Sequence, residues 1–165
     1  MSLNRVVQAG VCYMTLAVSA FSQPHMDWSL CTDKEMRVTF RYPKGWKTSP
    51  VYADRTYFEG PDGSVQINAS DGDSPLQVCQ GDAAHHLQPY GSHPKIQSME
   101  VQGHKACLVW PSAEQGASAG AELVVAYPQP LQIDGNRYRQ LTLYADKNHI
   151  LDIMRTVRFI SPRSK

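Results

Sequence analysis

The 165-residue chain holds few of the short motifs by which enzymes reveal their chemistry. It has no glycine-rich phosphate loop and no recognisable pair of catalytic carboxylates, so nothing local points to phosphoryl transfer or to acid–base hydrolysis. It also lacks Cys-x-x-Cys and His-x-x-x-His, the spacings that bring two ligands onto one metal. No sign of charge prevails. Lys and Arg number 16 against 15 Asp and Glu, with neither a basic stripe nor an acidic block, which excludes electrostatic capture of nucleic acid or anionic lipid as the basis of function. Cysteine is scarce, at four, and only residues 6–21 form a long apolar run.

That run is the most informative stretch present. Arg5 supplies one positive charge, residues 6–21 are apolar save for Gln8, Gly10, Thr15 and Ser19, and Val18-Ser19-Ala20 offers small residues for cleavage. The layout predicts a secretory signal peptide over residues 1–22 and one domain over residues 23–165, exported to the periplasm or secreted. A run this short falls below the roughly 20 residues of a spanning helix, so the mature domain is not expected to enter the membrane, although a retained leader would anchor it. Lipidation at Cys12 is disfavoured by the branched Val11 before it. Beyond the leader lie Cys31, Cys79 and Cys107. In an oxidising compartment one disulfide and one thiol is the simplest count, with all three pairings open. Three buried thiols are the alternative.

Period-two alternation over residues 36–42 predicts a half-buried strand ended by Pro43-Lys44-Gly45-Trp46, whereas residues 22–32 show no period and read as a loose lead-in. Residues 56–59 and 64–69 flank Gly60-Pro61-Asp62-Gly63 as a hairpin whose polar face carries Gln66 and Asn68. Ser74-Pro75-Leu76-Gln77 combines an N-cap, an N1 proline and a capping-box glutamine. It predicts a helix to about His86 with Leu76, Cys79, Ala83 and Leu87 on its apolar side. Residues 96–101 and 104–110 predict a second hairpin around Gln102-Gly103, with Ala106, Leu108 and Trp110 on one side and Cys107 on the other.

Residues 111–119 are small and polar and read as a surface loop. Residues 122–127 read as a central strand, paired with residues 138–145 through the turn signal Asp134-Gly135. Asp146 is expected to cap a last helix with Ile150, Ile153, Met154 and Val157 on one face, before a short edge strand over residues 158–160. Antiparallel hairpins with two helices predict the α+β class, as an α/β/α-type sandwich with a largely antiparallel sheet.

That order of elements resembles the PsbP-like superfamily. Four segments look like a family of bacterial extracytoplasmic domains: Phe40-Arg41-Tyr42-Pro43-Lys44-Gly45-Trp46, Leu87-Gln88-Pro89-Tyr90-Gly91-Ser92, residues 103–112, and Ala145-Asp146-Lys147-Asn148-His149-Ile150. The resemblance spans most of residues 34–161. It implies a binding or assembly module, transfers no catalytic residue, and does not account for the cysteines.

Six histidines invite a metal, but His85 and His86 are adjacent and point about 100° apart on a helix. His93, His104 and Cys79 stand at no ligand spacing, so no metal or other cofactor is expected. Asp71-Gly72-Asp73 opens like a calcium loop without its later ligands and reads instead as carboxylates at a helix entry. Cys107 and His104, the sharpest nucleophile–base pair, stand three apart on one strand and face opposite sides. Trp46, Tyr57 and Tyr90 are the candidate binding surface, with core anchoring as the alternative. The function these readings predict is a non-enzymatic exported domain that binds a protein or a cell-envelope component. A small extracytoplasmic hydrolase with an unrecognised site is one alternative, and an accessory or sensory module of an envelope assembly is another.

Overall fold

The computed structural model describes residues 27–50, 56–116 and 118–161, and the predicted signal peptide lies outside them. In chain order the elements are β1 (Trp28–Asp33), β2 (Val38–Pro43), β3 (Lys47–Thr48), β4 (Tyr57–Gly60), β5 (Gly63–Ser70), α1 (Pro75–Ala83), β6 (Lys95–Val101), β7 (His104–Trp110), β8 (Gly120–Ile133), β9 (Asn136–Asp146), α2 (Ile150–Thr156) and β10 (Arg158–Phe159). Every strand pairing described is antiparallel. The strands form a three-stranded sheet, β1-β2-β10, and a seven-stranded sheet, β3-β4-β5-β9-β8-β7-β6. The molecule is thus of the α+β class.

Two turns set the large sheet. Gln102 with Gly103, and Asp134 with Gly135, all take positive φ, the backbone of a type I′ hairpin, whose twist matches that of its strands. Alternation then sorts the side chains. Val65, Ile67, Leu108, Leu123, Leu141 and Leu143 face one side, where they meet Val38 and Phe40 of β2 and Ile150, Ile153 and Val157 of α2. On the other side Cys107, Val109 and Val124 pack with Cys79 and Tyr90. The large sheet is therefore a middle layer, with α1 on one face and α2 plus the small sheet on the other.

The start of α1 follows its sequence signals. Ser74 is extended, and its Oγ accepts the Gln77 N–H at 3.2 Å. The Gln77 side chain reaches back one residue further than a capping box requires, accepting the Asp73 N–H at 3.1 Å. Ser74→Ala is expected to cost about 1 kcal/mol, read as a lower urea midpoint; an unmoved midpoint would count against this cap.

Several expectations are corrected. Part of the lead-in, Trp28–Asp33, is a strand, because β2 offers it a full antiparallel register. Helix α1 stops at Ala83, so Leu87 lies past its end and is 74% exposed, while Leu76 faces solvent at 41%. Cys79 faces inward as expected, and Pro75 takes the other buried position. Asp146 does not cap α2. It ends β9, its Oδ1 accepts the Asn148 N–H at 3.0 Å, and both its oxygens lie 2.9 Å from His149 Nδ1, which leaves His149 as the N-cap residue. The expected short edge strand is present as β10, at the edge of the small sheet beside β2.

The Gly60–Gly63 turn is sealed by Trp46, whose Nε1 donates to Asp62 Oδ1 at 2.7 Å. A Cβ on Gly60 would overlap the Trp46 indole, and one on Gly63 the Asp146 carboxylate. Only glycine fits where side chains approach the backbone this closely.

Candidate functional site

The α1 face of the large sheet is unusual for its polarity. Register places Gln66, Tyr144, Glu122 and Val109 in one cross-strand row, and Asn68, Thr142, Val124 and Cys107 in the next. The β7 end of each row is apolar and lies against α1, whereas the β5 end carries amides and hydroxyls. Beside the helix a cleft of about 460 Å³ opens, lined by Asn68, Ser70, Val78, Asp82, Thr142 and Tyr144, and by Met36, Ala69, Ile133 and Tyr138, which also pack against the core of the other face. Cys79 on α1 and Cys107 on β7 form a disulfide, with Cα atoms 6.5 Å apart, which pins the helix to the sheet. Cys31 remains a free thiol.

Behind the cleft sits a buried acid. Glu122 has no exposed surface, and its Oε2 accepts the Tyr90 hydroxyl at 2.9 Å. Burial pushes its carboxyl up to about 8, Asp82 on α1 adds to the shift, and the Tyr90 and Tyr144 hydroxyls oppose it. Burial first, and then the charge of Glu122, drive both tyrosines above their ordinary range. Glu122 Oε1 is buried with no hydrogen-bond partner among the described residues. A proton on that oxygen turns it from an orphan acceptor into a donor toward Asp82. Burial, and then the neighbouring Asp82, thus favour the neutral acid of Glu122.

The sign of the resulting pH dependence is fixed. Between the ordinary carboxyl range and about pH 8, folded Glu122 keeps a proton that the unfolded chain has released. Stability therefore falls as pH rises through this window and levels off above it. Glu122→Gln supplies a permanent N–H in place of the proton. It is expected to flatten this slope and to stabilise the fold at alkaline pH by about 1–3 kcal/mol, measured as melting temperature against pH. Parallel curves for the two proteins would contradict the protonation state.

The residues singled out in the sequence do not assemble here as a surface. Trp46 and Tyr90 are 4% and 6% exposed and belong to two separate core clusters, while Tyr57 is half-buried on β4. The three are therefore not one binding face, and two of them are core anchors. Among the predicted cysteines, Cys79 and Cys107 are brought together and Cys31 is not. His85, His86 and His93 lie exposed after α1, and His104 sits at the far end of β7 against Phe159.

Glu122, Asp82 and Tyr144 carried no local signal. Their one trace in the sequence is a carboxylate set inside the apolar run of residues 121–127. The β7–β8 loop also contains Gly116-Ala117-Ser118-Ala119-Gly120, a match to the Gly-x-Ser-x-Gly nucleophile turn. That turn needs a strand before it and a helix after it, and here β8 follows. The ring nitrogens of His149, the buried histidine at the start of α2, face Asp146 at 2.9 Å and Asp62 at 3.4 Å, leaving neither for Ser118. Among the described residues no helix is long and apolar enough to cross a membrane. No family model matches the chain, and a search of curated proteins finds no match.

Proposed function

We propose that the chain is an exported, non-enzymatic binding domain of PsbP-like type, and that the cleft beside α1 receives a protein or cell-envelope component rich in hydroxyl and amide groups. The observation that carries this reading is the contrast between the wall of the cleft and what lies behind it. Half of its wall is polar, with the Asn68 amide, the Ser70, Tyr138, Thr142 and Tyr144 hydroxyls and the Asp82 carboxylate, and Met36, Ala69, Val78 and Ile133 supply the apolar part. The polar half consists of hydrogen-bonding groups that orient a ligand. Among the described residues the one carboxylic acid with a strongly raised pKa, Glu122, is fully buried. The Cys79–Cys107 bond supports the exported location, since such bonds persist in oxidising compartments.

A second reading, a small hydrolase, is favoured by one feature. Glu122 and Asp82 form a carboxyl pair in which Glu122 titrates near neutrality, the condition for general acid–base work. One experiment separates the two. The immobilised mature protein is incubated with envelope extract, and the same preparation is put through a hydrolase screen. A specific captured component without turnover supports binding. Empty capture together with turnover that Glu122→Gln abolishes overturns it in favour of the hydrolase.

A further inference from the structure

A second cavity lies on the opposite face of the large sheet, where β8 leaves its ladder. Ala126 pairs with Gln140 and Leu131 with Tyr138, so residues 127–130 bulge out opposite a single residue. Bulges of this kind re-aim side chains, and Pro128 and Pro130 have no N–H to return to the ladder. The bulge, the β1–β2 turn, the start of β7 and residues 158–161 border about 400 Å³, a volume suited to one small molecule. Its chemistry is carried by Arg37, His104, Tyr127, Pro128, Arg158 and Phe159.

Three observations mark it as a site. Tyr127 is 8% exposed, and its hydroxyl is buried with no hydrogen-bond partner among the described residues, an omission that costs free energy unless a ligand supplies the partner. Among the described residues, neither Arg37 nor Arg158 is paired with a carboxylate. Arg158 is held in place by donating to the Val157 and Arg155 carbonyls at 2.7 and 2.9 Å. The charge of Asp33 reaches the Tyr127 hydroxyl, but its oxygens are engaged by the Met36 N–H and the Thr56 hydroxyl. Lastly, Arg37 adopts φ +49°, rare for a long side chain, and its carbonyl is fastened by the Ile160 N–H at 2.8 Å.

We propose that this pocket binds a small organic anion, a carboxylate or phosphate group joined to a flat apolar portion of about one ring. Arg37 and Arg158 neutralise the anion by charge-assisted hydrogen bonds, and the Tyr127 hydroxyl donates to it. Burial keeps that hydroxyl protonated. Phe159, whose ring lies 5.3 Å from Tyr127 and 5.4 Å from His104, takes the apolar portion together with Pro128. The pocket shares no lining residue with the α1 cleft, although Met36 of that cleft adjoins Arg37, and its test reads other amides than those of the function proposed there.

The test is an NMR titration of the isotope-labelled protein with benzoate, with phenyl phosphate and with uncharged benzyl alcohol. The expected result is saturable shifts at the amides of His104, Gln129 and Phe159 with at least one anion and none with the alcohol. A response to benzoate alone assigns a carboxylate, and a response to phenyl phosphate alone assigns a phosphate ester. Arg37→Gln should weaken the binding about tenfold or more at an unchanged melting temperature, and Tyr127→Phe should weaken it less. No saturable shift with either anion, equal shifts with the alcohol, or a folded Arg37→Gln that binds like the wild type would each overturn the proposal. If Arg37→Gln fails to fold, the comparison of anions with the alcohol decides alone.

Discussion

Loss of the Cys79–Cys107 bond, by reduction or by replacing both cysteines with alanine, is expected to destabilise the fold by about 3–4 kcal/mol. The bond joins residues 28 apart in sequence, and cross-linking a loop of that length removes chain entropy from the unfolded state of about that size. Both cysteines are fully buried, so the reduced thiols keep their packing and the loss is mainly that of the link. In a domain of this size the melting temperature should fall by roughly 10 °C. Scrambling is disfavoured: burial, and then Asp33, push the Cys31 thiol up to about 11, which leaves almost no thiolate to attack the bond at neutral pH. Melting curves with and without reductant check the prediction. An unchanged melt would mean that no such bond stabilises the fold, and an equal loss from Cys31→Ser would mean that a different pairing holds the protein.

Ile153→Ala should have an effect of the same order, about 2–5 kcal/mol. Ile153 is fully buried on α2 among Val38, Phe40, Ile150 and Leu123, where helix, small sheet and large sheet meet. Truncation leaves a cavity that three rigid layers cannot close. Two residues on, Arg155 is exposed and pairs with Asp152 at 2.5 Å. An exposed pair of this spacing is worth a few tenths of a kcal/mol, so Arg155→Ala should be nearly silent. The control is informative because both substitutions sit on one short helix. If the two variants melt alike, α2 is not docked through Ile153.

The contrast between these two residues was legible in the sequence, since spacings of three and four already placed Ile150, Ile153 and Val157 on one stripe. The start of α1 and the turns at Gln102-Gly103 and Asp134-Gly135 were legible for the same reason: their signals are local, carried by caps, prolines and residues that tolerate positive φ. What escaped depends on distant partners. Strand β1 has no apolar period of its own, and Leu30 within it is 57% exposed; only the register with β2 makes it a strand. Asp146 read as a helix cap because nothing local shows that β9 runs on to include it, or that the ring of His149 claims its carboxylate.

The polar cleft was hidden more deeply. A glutamate in an apolar strand gives no hint of its neighbours. Tyr144 reaches Glu122 through pairing across β8 and β9, and Asp82 and Tyr90 reach it from α1 and the segment that follows. Each contact spans at least twenty residues of sequence, beyond the range of any local pattern. The disulfide had the same character: which of Cys31, Cys79 and Cys107 would pair depended on α1 lying across β7, which no spacing reveals.

The central claim is that the cleft beside α1 recognises a ligand without transforming it. The most direct measurement is an amide NMR spectrum of the isotope-labelled domain, residues 23–165, before and after addition of a solubilised envelope fraction, with the fraction analysed afterwards for new products. Recognition predicts shifts gathered at Asn68, Ser70, Asp82, Thr142 and Tyr144, reduced by Asn68→Ala, with the added material recovered unchanged. Shifts confined to other surfaces, or products that accumulate with the wild type and not with Glu122→Gln, would contradict it.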